Sequence, residues 1–278
     1  MVELGGVSRS GFYRFEKDGQ PGPDPDMDLR DAIQRIALQW PSYGRPRITA
    51  ELRRRGWTVN PKRVYRLLRE DNLLCVCKRK FIVTTDSNHG RKVYPNLARD
   101  IVLTGVDQLW RADITYVRLR EEFVFLAVIL DAYSRRVIGW ALDRTMEDEL
   151  TLAALRMAIK RRNIRPGLVH HSDRGSQYAS NDYTDLLKSR GIEISMSRKG
   201  NPWDNAACES FMKTLKYEQV LRNEYRDLAE ARASIVEFLE KVYNQKRLHS
   251  ALGYMPPVEF EAQIAKQNME AAARQLIG

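Results

Sequence analysis

Three carboxylates mark the chemistry this sequence could do. Asp113 lies in Trp110-Arg111-Ala112-Asp113-Ile114-Thr115-Tyr116, Asp173 in His171-Ser172-Asp173-Arg174-Gly175-Ser176-Gln177-Tyr178, and Glu209 in Asn201-Pro202-Trp203-Asp204-Asn205-Ala206-Ala207-Cys208-Glu209-Ser210-Phe211. Carboxylate oxygens are hard ligands, suited to Mg2+ or Mn2+. Two such ions roughly 4 Å apart can activate an attacking oxygen and stabilise a leaving one in a phosphodiester displacement. Taken singly, each carboxylate reads equally well as a cap, a turn residue or a solvated surface group. The residues for other chemistries are missing. Cys75 and Cys77 have the wrong spacing for a zinc knuckle. Of the four histidines, His170 and His171 are adjacent at a strand end, point opposite ways and read as structural. Ser172 and Ser176 have no partnered His-Asp pattern, and no phosphate-cradling glycine loop is present. Asp131 also follows a strand, but its neighbours Ala132-Tyr133-Ser134 explain it as a turn former.

The carboxylates need elements to position them. Trp110, Ala112, Ile114 and Tyr116 alternate with Arg111, Asp113 and Thr115, predicting a half-buried strand with Asp113 opposite the apolar set. Phe123 to Leu130 is an eight-residue apolar run, predicting a buried strand, and Arg136 to Leu142 predicts a third after a short link. Three strands so joined form an antiparallel meander. A helix over 148–162, a strand over 167–171 ending at Asp173, a helix over 182–190 and a strand over 193–196 follow. A long helix begins near 204 or 205 and carries Glu209; another spans about 227–244. This order is an α/β layout with a mixed sheet.

Ahead of these strands the pattern is helical. Residues 18–26 hold three prolines and two glycines and read as a linker. Leu29, Ile33, Ile36 and Ala37 recur at helical spacing. Ile48 and Leu52 predict a second helix, stopped by Gly56. Asn60-Pro61 opens a third, with Asn as cap and Pro at the first position. Its apolar face is Val64, Leu67 and Leu68, and its other face is Lys62, Arg63, Arg66 and Arg69. Two short helices with the second one basic suit a DNA-binding helix-turn-helix; a plain surface helix in a small bundle fits the same pattern.

The chain has 278 residues and a net charge of +10. Residues 41–100 alone carry 15 Lys or Arg against 5 Asp or Glu, a local excess as large as that of the whole chain. A polyanion is the partner this predicts, nucleic acid above all, unless the block is a solvated surface. Lys78, Arg79 and Lys80 extend the basic run through a loop-like stretch that could track DNA. No apolar run approaches the roughly 20 residues of a membrane span, and no apolar signal region opens the chain. Three cysteines argue against a disulfide framework and for a reducing cytoplasm.

Between Asp173 and Glu209 lie 35 residues. The combination resembles the Asp, Asp, thirty-five, Glu signature of DDE transposases and retroviral integrases. The strings around the three carboxylates, with Tyr243-Asn244-Gln245-Lys246-Arg247-Leu248-His249-Ser250-Ala251-Leu252-Gly253-Tyr254, are similar to bacterial insertion-sequence transposases of the IS-three family, in the OrfB product. The resemblance runs from Val7 to about Phe260. It implies a ribonuclease-H-like mixed five-stranded sheet flanked by helices, preceded by a small all-α helix-turn-helix domain. The implied divisions are a truncated N-terminal segment and linker over 1–27, the helix-turn-helix over 28–75, a basic linker over 76–102, the catalytic core over 103–262 and a helical tail over 263–278.

The resemblance further implies Asp113, Asp173 and Glu209 as a catalytic, metal-binding triad with two Mg2+ or Mn2+ ions. Lys216 stands where the family carries a basic residue that contacts DNA near the active site. Asn205, Glu209, Lys213 and Lys216 share one helix face, so Asn205 and Lys213 join Lys216 as DNA-contact candidates. Arg247 and His249 match the family's C-terminal motif and read mainly as structural support. The implied activity is metal-dependent strand cleavage and strand transfer on DNA. Rival readings are a ribonuclease-H-like nuclease without strand transfer and a non-catalytic DNA-binding regulator. The implied partners are DNA, further copies of the chain and the upstream-frame OrfA product; the implied location is cytoplasmic, on the nucleoid when DNA-bound.

Overall fold

The computed structural model describes residues 24–75, 92–198 and 205–277, with side chains to residue 274. Lys78, Arg79 and Lys80 lie outside the described residues. Two compact units divide the chain, Met1–Lys78 and Arg79–Gly278.

Among its described residues the first unit has three helices, α1 (Met27–Gln39), α2 (Arg45–Arg54) and α3 (Pro61–Glu70). Their apolar stripes meet in one core: Leu29, Ile33 and Ile36 of α1, Ile48 and Leu52 of α2, Val64, Leu67 and Leu68 of α3. Gly56 ends the α2 segment at φ +87°, a conformation that side chains with a Cβ rarely adopt. Asn60 caps α3, its side chain accepting from Lys62 N at 2.8 Å. Asp26, placed in the linker by composition, is instead buried and ion-paired to Arg63 and Arg66 of α3. Arg30 of α1 pairs with Glu70 and Asp71 at the far end of α3.

The second unit is built on a five-stranded sheet of β1 (Leu109–Arg118), β2 (Phe123–Asp131), β3 (Val137–Asp143), β4 (Val169–Ser172) and β5 (Glu193–Met196). The order is β3-β2-β1-β4-β5. The first three strands are the antiparallel meander read from their short links, and β4 and β5 join parallel. The helices are α4 (Asp148–Arg161), α5 (Asn181–Ser189), α6 (Ala206–Glu218), α7 (Leu228–Glu237) and α8 (Pro257–Ile277). The helix expected over 227–244 is α7 followed by a π-helical stretch, Phe238–Tyr243.

The sheet is covered on both faces, which is why β2 reads as a continuous apolar run. On one face Trp110, Ala112, Ala127 and Ile129 pack with Leu155 and Ala158 of α4. On the other Val117, Val124, Leu126 and Val128 pack with Phe211 and Leu215 of α6 and Ile235 of α7. At Gly139 a Cβ would lie 2.2 Å from the Ala154 carbonyl oxygen, so only glycine admits α4 this close to β3.

Candidate active site

β4 is short. It pairs with β1 only as far as Arg111↔His171, while β1 runs on to Arg118. Beyond that point the β4-facing edge of β1 has no ladder partner among the described residues, and its backbone polar groups need other partners. Side chains meet two of them. Asn205, just before α6, donates from Nδ2 to Ala112 O at 3.2 Å. Asp113 Oδ1 accepts from Ile114 N at 2.9 Å. A carbonyl can only accept, so the orientation of the Asn205 amide is fixed by its partner.

That edge is where the three carboxylates gather. Asp113 is half-buried in the middle of β1. Asp173 directly follows β4 and is also half-buried, its Oδ1 accepting from Gly175 N at 2.9 Å. Glu209 sits in the first turn of α6 and is exposed. Burial pushes the Asp113 carboxyl up to about 7, and the charges of Asp173 and Glu209 push the same way. The Ile114 hydrogen bond and the Lys216 charge oppose this without cancelling it. Burial also raises Glu209. Among the described residues no three His, Cys, Asp or Glu side chains stand close enough to share a metal ion. The charges nevertheless converge: each of the other two carboxylates is felt at Asp113.

Lys216, two turns after Glu209 on α6, is the nearby cation. It is half-buried, with Nζ 4.6 Å from the centroid of the Tyr116 ring. Burial lowers its pKa while the Asp113 charge works against that. Lys213 is exposed on the same helix. Asn205 is buried, 8% exposed, and spends its amide on β1 rather than on solvent. The far end of α6 is fastened separately. Arg247 Nε and Nη2 donate to the two carboxylate oxygens of Glu218 at 2.8 and 2.7 Å. His249 packs edge-on against Tyr243 at 4.7 Å. The C-terminal motif thus holds α6 in place, as its structural reading expected.

The neighbouring histidines are likewise structural. His170 Nε2 meets Tyr183 Oη at 3.0 Å, and His171 bridges Ser195 and Ser197 at 2.8 and 3.0 Å. Burial takes His170 down to about 3, so it stays neutral. Sequence reasoning missed the Asn205–Ala112 tether and the Tyr116 seat of Lys216. The only signal for either was the place of Asn205 one turn before Glu209 and of Tyr116 three residues after Asp113.

A mixed sheet with an antiparallel meander, two parallel strands and carboxylates at the β1–β4 edge defines an integrase-type core. The chain matches the integrase core domain family over residues 104–202, a second integrase core domain family over 190–257, and an HTH-like domain family over 25–81. An uncharacterised 31 kDa protein of insertion element IS600 from Shigella sonnei is 40% identical over 264 residues, 94% of this chain and 97% of that protein. The transposase InsF for insertion sequence IS3A of Escherichia coli K12 is 40% identical over 220 residues, 79% of this chain and 76% of the relative. A transposase for element IS904 of Lactococcus lactis is 38% identical over 79% of this chain and 87% of its own length. The chain belongs to the IS3 family of insertion-sequence transposases. It is a DNA transposase of the polynucleotidyl-transferase class.

Proposed function

We propose that Asp113, Asp173 and Glu209 are the catalytic triad and that they hold two divalent cations, Mg2+ or Mn2+. The observation that carries this is the convergence of three carboxylates from three separate parts of the chain at one edge of β1, where the charges of Asp173 and Glu209 both act on Asp113. Both other carboxylates push the Asp113 carboxyl up, and Lys216 opposes this only weakly. An all-oxygen, acid-rich set fits hard cations. When bound, the ions would supply activation of the attacking oxygen and charge stabilisation at the leaving one.

The chain's own residues do the rest. Asp113 must give up its proton to serve as a ligand, which the approach of positive charge favours. Asn205 fixes the start of the Glu209 helix to β1 one residue from Asp113. Lys216 and Lys213 offer positive charge to the DNA backbone beside the carboxylates. The reaction is hydrolysis of one phosphodiester at an element end, with water as nucleophile and a 3′-hydroxyl as leaving group. That hydroxyl then attacks a phosphodiester of the target, forming one P–O bond and breaking another without a covalent protein intermediate.

In this reading the helical unit binds DNA, further copies of the chain assemble on it, and the upstream-frame product is an additional partner. The work is done in the cytoplasm, on the nucleoid. Metal-dependent cleavage and joining of DNA bearing the element's ends tests the proposal. Joined product supports strand transfer and nicks alone point to a nuclease. DNA binding with neither, unchanged by triad substitutions, points to a regulator.

A further inference from the structure

The basic face of α3 is not uniformly available. Arg63 donates to Asp26 through Nε at 2.7 Å and through Nη2, and Arg66 Nη2 donates to the other oxygen of the same carboxylate at 2.5 Å. Asp26 is buried, so these two arginines hold α3 to the start of α1. Lys62 and Arg69 are exposed and make no ion pair among the described residues. Between them on the same stripe, at helical spacing from both, lies Tyr65. It is 44% exposed in a unit whose other large apolar side chains on α3, Val64, Leu67 and Leu68, are buried. Arg45, the first residue of α2, is exposed and holds its guanidinium over the Tyr65 ring, 5.7 Å from the centroid. An arginine stacked in this way keeps its in-plane N–H groups for an anion.

We infer that Tyr65 is the base-reading residue of the helical unit, and that Arg45, Lys62 and Arg69 clamp the phosphates on either side of it. This rests on the reading of the unit as a DNA-binding helix-turn-helix. Tyr65 carries both an apolar ring edge, suited to a thymine methyl, and a hydroxyl able to reach a base acceptor. Its three cationic neighbours, placed on phosphates, position the helix without reading sequence directly. Arg63 and Arg66, the other two basic residues of that face, donate to Asp26 and tie α3 to the start of α1.

The experiment uses the full chain. Wild type, Tyr65→Ala, Tyr65→Gln, Lys62→Ala and Arg69→Ala are each used to select duplexes from a randomised DNA library. Affinity for the wild-type selection and for a scrambled duplex is then measured across a salt series. Tyr65→Ala is expected to reduce the preference for the selected duplex by about tenfold and to leave the salt slope unchanged. Tyr65→Gln, which keeps a good helix former, is expected to change the selected base at that one position. Lys62→Ala and Arg69→Ala are expected to weaken both duplexes alike and to lower the salt slope by about 1 each. A wild-type selection reproduced by both Tyr65 variants overturns the inference, as does a wild type with no preference at all. If Lys62→Ala and Arg69→Ala also leave binding untouched, the helix-turn-helix reading fails with it.

Discussion

Two aspartates on neighbouring strands, half-buried Asp113 on β1 and fully buried Asp131 at the end of β2, show how the same residue type is put to opposite uses. Asp131 is fully buried and accepts from Asp107 N at 2.7 Å, Tyr133 N at 3.0 Å, Ser134 N at 2.7 Å and Ser134 Oγ at 3.0 Å. Arg162 stands 3.8 Å away and also pairs with Asp107 and Glu261. Burial raises the Asp131 carboxyl, while the Ser134 and Asp107 amides and Arg162 hold it back. Asp113 has one backbone donor, and its nearest charged company includes two more carboxylates. The surroundings of Asp131 spend their donors on satisfying a charge. Those of Asp113, three register positions along the β1–β2 pair, leave charge unsatisfied, which is a cost to folding and a resource for binding cations.

The sharpest break of this comparison is functional. Asp113→Asn, Asp173→Asn and Glu209→Gln should each reduce DNA cleavage and strand transfer by at least about a thousandfold, because residues acting as a unit fail as a unit. Asp131→Ala should leave activity per folded molecule nearly unchanged. Full activity in any of the three triad variants, measured on the same DNA, would remove that carboxylate from the site.

The converse test is stability. Removing one partner of a buried ionic network leaves the remaining charges uncompensated, and Asp131→Ala should lose about 3 to 5 kcal/mol in urea unfolding. Glu209→Gln, at an exposed position, should change stability within about 0.5 kcal/mol. Equal losses for the two would show that the two carboxylate sites are not specialised in the way their hydrogen bonds suggest.

A smaller effect separates two roles for Asn205. If it positions the Glu209 helix through Ala112, Asn205→Ala should weaken Mn2+ binding about tenfold, read as the metal concentration that half-saturates the thermal shift of the full chain. DNA affinity should stay unchanged at saturating metal. A DNA-contact role, the one its place on the helix face suggested, predicts the reverse pattern.

How much of this was legible in the sequence depends on distance along the chain. The strands, the meander, the order of helices and the Asn60 cap follow from periodicity and local capping, and the structure has them within a few residues. The three carboxylates were visible because each sits inside a distinctive string with a fixed spacing. What stayed hidden were contacts set by topology. That β4 stops at His171 and exposes the edge of β1 is a matter of relative strand length, and Asn205 and Ala112 meet across 93 positions. Asp26 looked like linker because Pro and Gly surround it, yet Arg63 and Arg66 lie 37 and 40 residues away and reclaim it. Asp131 was read as a turn former, and it does accept from Tyr133 and Ser134, but its tie to Arg162 and the network around Glu261 had no local signal.

The smallest expected effect concerns pH and follows from the unsatisfied charge itself. The folded-state value of Asp113 is about 7, above the ordinary 3.8. A group raised in this way contributes its full share of stability below about pH 3.8, where both states are protonated. It loses that share progressively up to about pH 7, because the unfolded chain has already released the proton that the folded chain retains. Asp113→Asn cannot ionise and escapes this loss. In a chelator, to keep cations from the site, the melting temperature of Asp113→Asn relative to wild type should rise between about pH 4 and pH 7 and then level off. Added Mn2+ should cancel or invert the difference at pH 8 or so, since the wild-type carboxylate gains a ligand that the amide largely forgoes. A difference that is flat with pH would mean that the folded chain does not hold the Asp113 proton above its ordinary range, and that the contrast between the two aspartates lies only in their geometry.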